Sequence, residues 1–160
     1  MPEQVQPDGS TGGWRARAAS CIATAMPHLE DVHADYELLE ADDRYRLLID
    51  LGRDLEPMPD ALKTDATLVR GCSASVWVYS VPQPDGRLHF LADSNAAITK
   101  GIVALVLLAV QDRSPDDILR LDIEGALARF DLKSQLSSNR TQGIPNMIAL
   151  VRETARRLAA

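Results

Sequence analysis

Hydrophobic side chains recur at helical spacing in the first part of the chain, between residues 29 and 55. The positions i, i+3, i+4 and i+7 of this pattern are held by Tyr45, Leu48, Ile49 and Gly52. Asp42 is a suitable N-cap, so we predict a helix that begins at about Asp43. The segment EPMP at 56–59 ends it, because proline cannot continue a helix.

The spacing changes to that of β-strands in the middle of the chain. Residues 75–81 are rich in β-branched and aromatic side chains and predict a strand that is covered on both faces, or nearly so. A turn at 82–86, ending in the dipeptide DG, joins it to a second strand at 87–92 in an antiparallel hairpin. One face of the second strand holds Leu88, Phe90 and Ala92, and the other holds Arg87 and His89. Residues 66–70 are a candidate third strand.

The remainder of the chain predicts helices. Ser114 as a cap, Pro115 in the first helical position and two acids after it predict one helix start. A short helix is expected at 123–130, and a last long helix at 137–158 that one of its first two serines caps. Helices, a hairpin and more helices make an α+β fold, with a small antiparallel sheet packed against helices.

No segment suits a membrane or export. The longest apolar run, 102–110, lies in a predicted helix at 95–111; it is too short to cross a bilayer and predicts a buried core helix. The first residues lack the apolar stretch of a secretory signal. We therefore expect a cytoplasmic protein in which Cys21 and Cys72 are reduced.

Length and charge set the domain organisation and exclude one class of partner. The 160 residues suit one domain, which we place at 29–160. Residues 1–28 contain several prolines and glycines and predict a disordered or partly helical extension. The formal net charge is -6, and an acidic surface repels phosphate backbones, so nucleic acid is not an expected partner.

Cys72 is the candidate for chemistry. It lies among small residues where a strand begins, a place that another protein's pocket can reach. Arg70 is two residues away, and a nearby cation lowers the pKa of a thiol and favours the reactive thiolate. These properties suit a thiol that exchanges sulfur with a partner. The alternative is a small buried hydrophobic residue, as free cysteines usually are, and the local sequence does not decide between the two.

Other chemistries find little support in the sequence. A cysteine hydrolase needs a histidine base near its nucleophile, whereas His28, His33 and His89 fit ordinary surface positions. A dithiol redox enzyme needs a second cysteine close by, and Cys21 is distant from Cys72 in sequence. We see no regularly spaced metal ligands and no glycine-rich phosphate loop, so no resident metal or cofactor is expected.

Four blocks in order along the chain resemble the SufE family of cysteine desulfuration proteins. The cysteine block is GCSASVW at 71–77, and the second block is DSNAAITKG at 93–101. The third is LSSNRTQG at 136–143, and the family's first helix is matched by DRY at 43–45 and LG at 51–52. One block alone is weak evidence, but four in order around one cysteine are specific.

The resemblance implies a fold and an activity. The fold would be the α+β sandwich shared with iron–sulfur scaffold proteins of the IscU type. Cys72 would accept sulfur from the persulfide of a SufS-type cysteine desulfurase, which carries pyridoxal phosphate, and pass it towards iron–sulfur cluster assembly. The cysteine would lie on a loop against an apolar cavity until the partner docks. The chain would be a sulfurtransferase-like carrier without stand-alone catalysis, and a downstream iron–sulfur scaffold complex is a further candidate partner.

Five residues are candidates for the loop environment or the partner interface: Arg70, Gly71, Ser73, Asp93 and Arg140. Asp93 and Arg140 match polar positions of the family's blocks. Each has a purely structural alternative: Asp93 as the cap of the helix expected after it, and Arg140 as a surface residue in the first turn of the last helix.

This sequence departs from the family pattern in three places. Serines stand at Ser73 and Ser75 where the family usually has glutamines, and Asn95 stands where it usually has a second aspartate. The N-terminal extension has no counterpart that the resemblance identifies. The first two departures surround the loop and concern partner specificity, and the thiol itself is retained.

Three other functions compete with the SufS-type acceptor. The first is an acceptor for a CsdA-type desulfurase, because the two systems share these motifs. The second is a thiol-independent adaptor or regulator of the desulfurase. A cluster-assembling scaffold on the same fold fails on ligand count, because one suitable cysteine cannot hold a cluster that normally uses several thiolates.

Overall fold

The computed structural model describes residues 28–159 of the 160-residue chain. The predicted α+β fold is confirmed, with a two-stranded antiparallel sheet between two sets of helices. Of the predicted extension at 1–28, only His28 lies within the described residues, and Cys21 lies outside them. The elements are α1 Leu29–Glu37, α2 Ala41–Arg53, a 3-10 turn Asp60–Leu62, β1 Val76–Pro82, β2 Leu88–Ser94, α3 Ala97–Val110, α4 Pro115–Arg120, α5 Ile123–Ala128, α6 Leu132–Gln135, α7 Ser138–Thr141 and α8 Ile144–Ala159.

Helix α2 has the predicted helical spacing, but it begins earlier, and its buried face includes only Leu48 and Gly52 of the predicted one. Asp42 does not cap the helix, which begins at Ala41. Asp42 lies in the first turn, where its negative charge interacts favourably with the positive end of the helix dipole. Tyr45 is 37% exposed, so the predicted face is displaced. The buried face consists of Leu47, Leu48, Leu51 and Gly52. The helix ends at Arg53, before the prolines, as predicted.

Helix α3 forms the centre of the core. Eleven of its 14 residues are buried, and it packs against α2, β2, α5 and α8. It crosses α2 closely: a Cβ built on Gly101 would lie 2.0 Å from the carbonyl oxygen of Leu48, and one on Gly52 would lie 2.8 Å from the amide nitrogen of Gly101. The predicted buried core helix is confirmed. Among residues 28–159, no helix combines the length and apolar character needed to cross a bilayer.

The hairpin has the predicted turn and alternation. Val76 pairs with Ser94 and Pro82 pairs with Leu88 at the two ends of the ladder. Gly86 takes a φ of 87°, a left-handed value that a residue without a side chain adopts at no steric cost. The inward face of β2 is buried, with exposures of 1%, 1% and 2% at Leu88, Phe90 and Ala92.

Two expectations for the sheet are wrong. Strand β1 is buried on one face only, because α3 covers one side of the sheet: Val76 is fully buried, whereas Tyr79 is 40% exposed. Residues 66–70 form no full strand; they make one isolated bridge, between Leu68 and Trp77. The chain turns away at Arg70, so the segment is too short for a ladder.

The cap predicted for α4 is confirmed, whereas the last predicted helix is broken and the side chain of Ser137, at its N-cap position, makes no capping hydrogen bond. The side chain of Ser114 accepts a hydrogen bond from the amide of Asp117 (3.2 Å), which confirms the predicted start of α4. The single helix expected at 137–158 is two helices, since α7 ends at Thr141 and α8 begins at Ile144. Pro145 explains the break: it has no amide hydrogen to donate to residue 141, whereas it fits the first turn of a new helix.

His89 connects three segments of the chain. Its Nδ1 lies 2.8 Å from Oδ1 of Asp112, which follows α3, and its Nε2 bonds the carboxylate of Glu56, which follows α2. Burial of the ring opposes protonation, but the hydrogen bonds to the two carboxylates outweigh it and raise the pKa of His89. The residue is therefore part of an ion-pair network. His33 is not a surface residue either: it is buried, with Nε2 3.1 Å from the carbonyl oxygen of Arg129.

We expect Gly101→Ala to destabilise the fold. In an unobstructed helix interior, this change stabilises by roughly 0.5–1 kcal/mol. Here the new Cβ meets the backbone of α2, and separating the helices should cost about 2 kcal/mol or more. Thermal unfolding followed by circular dichroism measures the change, and Gly52→Ala, with its longer contact, should cost less. A raised Tm for G101A would contradict the close crossing.

The His89 network should make stability depend on pH. A folded-state pKa that is raised contributes stability below the unfolded pKa, about 6.5, and this contribution is lost as pH rises through the folded pKa. Relative to His89→Gln, the native chain should therefore be more stable by about 1 kcal/mol near pH 6 and lose this advantage in the alkaline range. Urea unfolding across this range is the measurement, with His28→Gln, at an exposed residue, as control. A difference that is independent of pH would refute the assignment.

Candidate functional site

Cys72 lies on a loop that leads into β1 and is closed at its base. The amide of Val69 donates to the carbonyl of Val76 across the base (2.8 Å). On the β2 side, the amide of Ser75 donates to Oδ1 of Asn95 (3.1 Å), and the amide of Asn95 donates to the carbonyl of Ser75 (3.3 Å). Both strands of the hairpin therefore hold the base of the loop.

The tip of this loop, which we call the Cys72 loop (residues 70–75), packs against the start of α8. A Cβ built on Gly143 would lie 2.3 Å from Sγ of Cys72, so the sulfur rests directly on this glycine. Gly71 has a φ of 82°, and a Cβ there would lie 2.2 Å from Nδ2 of Asn146. Two glycines therefore allow the loop and the helix start to approach each other closely.

One side-chain hydrogen bond connects the loop to α7. The hydroxyl of Ser73 donates to the carbonyl oxygen of Asn139 over 2.6 Å. Asn139 belongs to the third sequence block, which is thus in contact with the cysteine block.

Burial dominates the electrostatics of the thiol. Cys72 is half-buried and packs against the core, and this burial raises the pKa of its thiol. The expectation that Arg70 lowers this pKa is wrong for the present conformation, in which Arg70 is exposed. A protonated thiol is a weak nucleophile, so the site as it stands protects the sulfur.

The loop encloses an open depression of about 250 Å³, lined by residues 68–75. Backbone and small side chains form most of its wall, and Cys72 is one of the lining residues. Within the described part of the chain, no group of three or more His, Cys, Asp or Glu side chains could hold a metal ion.

Asp93 joins the end of β2 to two lysines. Its Oδ2 lies 2.6 Å from Nζ of Lys63, and its Oδ1 lies 3.2 Å from Nζ of Lys100. Burial raises the pKa of Asp93, but these ion pairs and the Ser94 amide outweigh it, and the net pKa is lowered. Asp93 does not cap α3, which begins at Ala97. Its carboxylate instead ties the segment before the Cys72 loop to β2 and α3.

Arg140 is exposed on α7, directly after Asn139. Among residues 28–159 we find no ion pair of Arg140. Because Asn139 bonds Ser73, Arg140 lies next to a residue that contacts the Cys72 loop. The other candidates, Arg70, Gly71 and Ser73, belong to the loop itself. Asp93 is connected to the loop at its base, two residues before Asn95.

Three residues that contact the loop, Asn139, Gly143 and Asn146, have no role predicted from the sequence. Asn139 and Gly143 lay inside a recognised block, and Asn146 lay outside every block. The only available signal was Gly143 itself, a glycine in a segment predicted to be helical, which often marks a close approach.

A family model described as "SufE: Fe-S metabolism associated domain" matches residues 30–155. The chain belongs to the SufE family. The resemblance seen in the four sequence blocks is therefore confirmed, and the protein belongs to a group that is associated with iron–sulfur metabolism and works with cysteine desulfurases. Cys72, Asp93 and Arg140 all lie within the matched range.

A solved structure has the same fold as this SufE-family chain. It is the solution structure of a hypothetical protein from Thermus thermophilus, similar with a TM-score of 0.68 and 16% sequence identity. The match covers 85% of this chain and 98% of the other. At this identity the similarity concerns the fold alone.

We expect the pKa of Cys72 to be higher in the folded than in the unfolded chain. A Cys21→Ser variant leaves Cys72 as the single thiol, so that its alkylation rate by iodoacetamide can be followed against pH. The midpoint in buffer should lie above the midpoint in urea, because burial disfavours the thiolate. Stability should accordingly fall as pH rises above the unfolded thiol's pKa. A folded midpoint at or below the unfolded one would contradict the half-buried position.

Proposed function

We propose that this SufE-family protein accepts sulfur from a SufS-type cysteine desulfurase and carries it as a persulfide on Cys72 for iron–sulfur cluster assembly. The observation that supports this most is the position of Cys72. Its half-buried thiol lies on a loop that hydrogen bonds hold at the base and that one hydrogen bond, from Ser73, joins to α7, beside an open depression. Such a thiol is protected at rest, yet a docked protein can reach it.

The transfer is a thiol exchange that balances without an external oxidant or reductant. The Cys72 thiolate attacks the outer sulfur of the desulfurase persulfide. A bond forms between Sγ of Cys72 and that sulfur, and the sulfur–sulfur bond inside the desulfurase persulfide breaks. The desulfurase cysteine leaves as a thiolate and takes up a proton, which replaces the one that Cys72 lost.

The resting contacts of Cys72 suit this chemistry. Burial keeps the thiol protonated and so limits reaction with water-borne oxidants. Docking would draw the loop away from Gly143, restore the ordinary pKa of the thiol and offer the thiolate to the partner. The same movement in reverse would shield the newly formed persulfide.

The partner supplies the cofactor chemistry in this proposal. Pyridoxal phosphate belongs to the desulfurase, which releases sulfur from free cysteine, and this chain contributes a thiol, its shield and a docking surface. A downstream iron–sulfur scaffold complex would receive the sulfur. A CsdA-type desulfurase would use the same exchange, so the two systems are distinguished by docking and not by chemistry. The cytoplasmic location stays a prediction.

Incubation with free cysteine and a SufS-type desulfurase should add sulfur to Cys72. Intact-protein mass spectrometry should show gains of about 32 Da per sulfur atom that reductant removes and that peptide mapping assigns to Cys72. Cys21→Ser should gain the same mass, and Cys72→Ser should gain none. If an active SufS-type enzyme adds no mass and a CsdA-type enzyme does, the cognate partner is the alternative one. No added mass with either would contradict the acceptor role.

The same variants should separate transfer from docking. Cys72→Ser should abolish the stimulation of desulfurase turnover while binding to the desulfurase, followed by calorimetry, persists. Circular dichroism serves as the control for folding. Full stimulation by C72S would favour a thiol-independent adaptor instead.

A further inference from the structure

We propose that the hydroxyl of Ser73 is a latch that holds the Cys72 loop closed on α7, which makes Ser73 a positioning residue for the thiol. Its meaning for function rests on the sulfur-acceptor role proposed above, but its test does not need that role. The latch is the hydrogen bond of 2.6 Å from Oγ of Ser73 to the carbonyl oxygen of Asn139, which lies 66 residues further along the chain.

The carbonyl oxygen of Asn139 is free to accept the Ser73 bond because α7 is short. A helical carbonyl normally accepts from the amide four residues later, and for Asn139 that residue is Gly143. Helix α7 ends at Thr141, so Gly143 lies outside it and the carbonyl of Asn139 is one of the free acceptors at the helix end. Ser73 satisfies this acceptor from outside the helix, as capping side chains do.

The remaining contacts of the loop divide into two groups. Its base is closed by the hydrogen bond from the amide of Val69 to the carbonyl of Val76 and is held by two hydrogen bonds between Ser75 and Asn95. At its tip, the contacts of Cys72 with Gly143 and of Gly71 with Asn146 are van der Waals contacts without directional preference. Within residues 28–159, the Ser73 bond is the one hydrogen bond that we find between the Cys72 loop and α7 or α8.

Loss of the Ser73–Asn139 hydrogen bond would therefore free the tip of the loop, while the hydrogen bonds at its base remain. Ser73 is exposed, so water or a polar group of a docking protein can compete for either partner of the bond. A hydrogen bond of this kind favours the closed loop only about three- to tenfold, which is strong enough to shield the thiol and weak enough for a partner to displace.

The test is the reactivity of Cys72 towards iodoacetamide in a Cys21→Ser background, without any desulfurase. If alkylation proceeds from the open loop, Ser73→Ala should raise the rate about three- to tenfold, since the rate follows the open population. Ser73→Thr, which keeps a hydroxyl, should return the rate towards that of the parent. Ser138→Ala removes an exposed hydroxyl next to Asn139 and serves as the matched control, with a rate within about twofold of the parent.

The pH profile separates a latch from general destabilisation. In S73A the midpoint of alkylation should move towards that of the urea-unfolded chain, because the open loop exposes the thiol to water. Thermal unfolding should stay close to that of the parent. An S73A rate equal to that of S138A would overturn the proposal, and so would equal acceleration in S73A and S73T.

The desulfurase then tests the functional meaning separately. With a cognate enzyme, S73A should lower the concentration of this protein needed for half-maximal stimulation and leave the maximal rate unchanged, because opening precedes transfer. If the parent chain accepts no sulfur at all, the proposed function fails, whereas the alkylation rates still decide whether Ser73 is a latch.

Discussion

The close crossing of α2 and α3 fixes the positions from which the site is built. Gly101 brings the backbones of the two helices into contact, and α3 in turn supports the buried face of β2. The end of β2 carries Asp93, and the residues after it carry Asn95, which holds the base of the Cys72 loop. A helix crossing that contains no reactive group therefore determines where the thiol lies.

Two opposing requirements meet at Cys72. A sulfur carrier must keep its thiol away from solvent between transfers, and it must release the thiol as a thiolate during transfer. For the proposed carrier role, burial of the sulfur on Gly143 would meet the first requirement, and the single hydrogen bond between the loop and α7 would permit the second. Ion pairs of Asp93 with Lys63 and Lys100 tie the segment before the loop to β2 and α3, whereas the tip is held to α7 by one hydrogen bond.

Sequence patterns predicted correctly the elements that depend on residues close to them in the chain. The alternation at Leu88, Phe90 and Ala92 and the cap at Ser114 depend on near neighbours, and both are as predicted. The course of β1 and of residues 66–70 depends on what packs above them, which α3 decides on one side of the sheet only. The spacing of residues along a strand does not show which distant element packs on each face. Tyr79 therefore predicts a second helix or strand over its face of the sheet, whereas its side chain is exposed in the described residues.

The candidate site shows the same limit. Cys72 could be identified from its family block, but its partners Asn139, Gly143 and Asn146 come from a break between helices that a continuous helical pattern concealed. The electrostatic prediction for Arg70 failed for a related reason. Sequence proximity places a cation near the thiol, whereas the pKa depends on burial, which only the folded chain defines.

The two glycines at the loop, Gly71 and Gly143, have a consequence for how this site can diversify. They let the loop and its sulfur pack directly against the start of α8, so apart from Ser73 this packing uses no exposed side chain of the loop. The exposed side chains of Arg70 and Arg140 can therefore change without altering where the sulfur rests, whereas Ser73, which bonds α7, cannot. Substitutions at Arg70 or Arg140 would thus change the surface around the thiol without moving it, while any larger residue at Gly71 or Gly143 would displace the loop from α8.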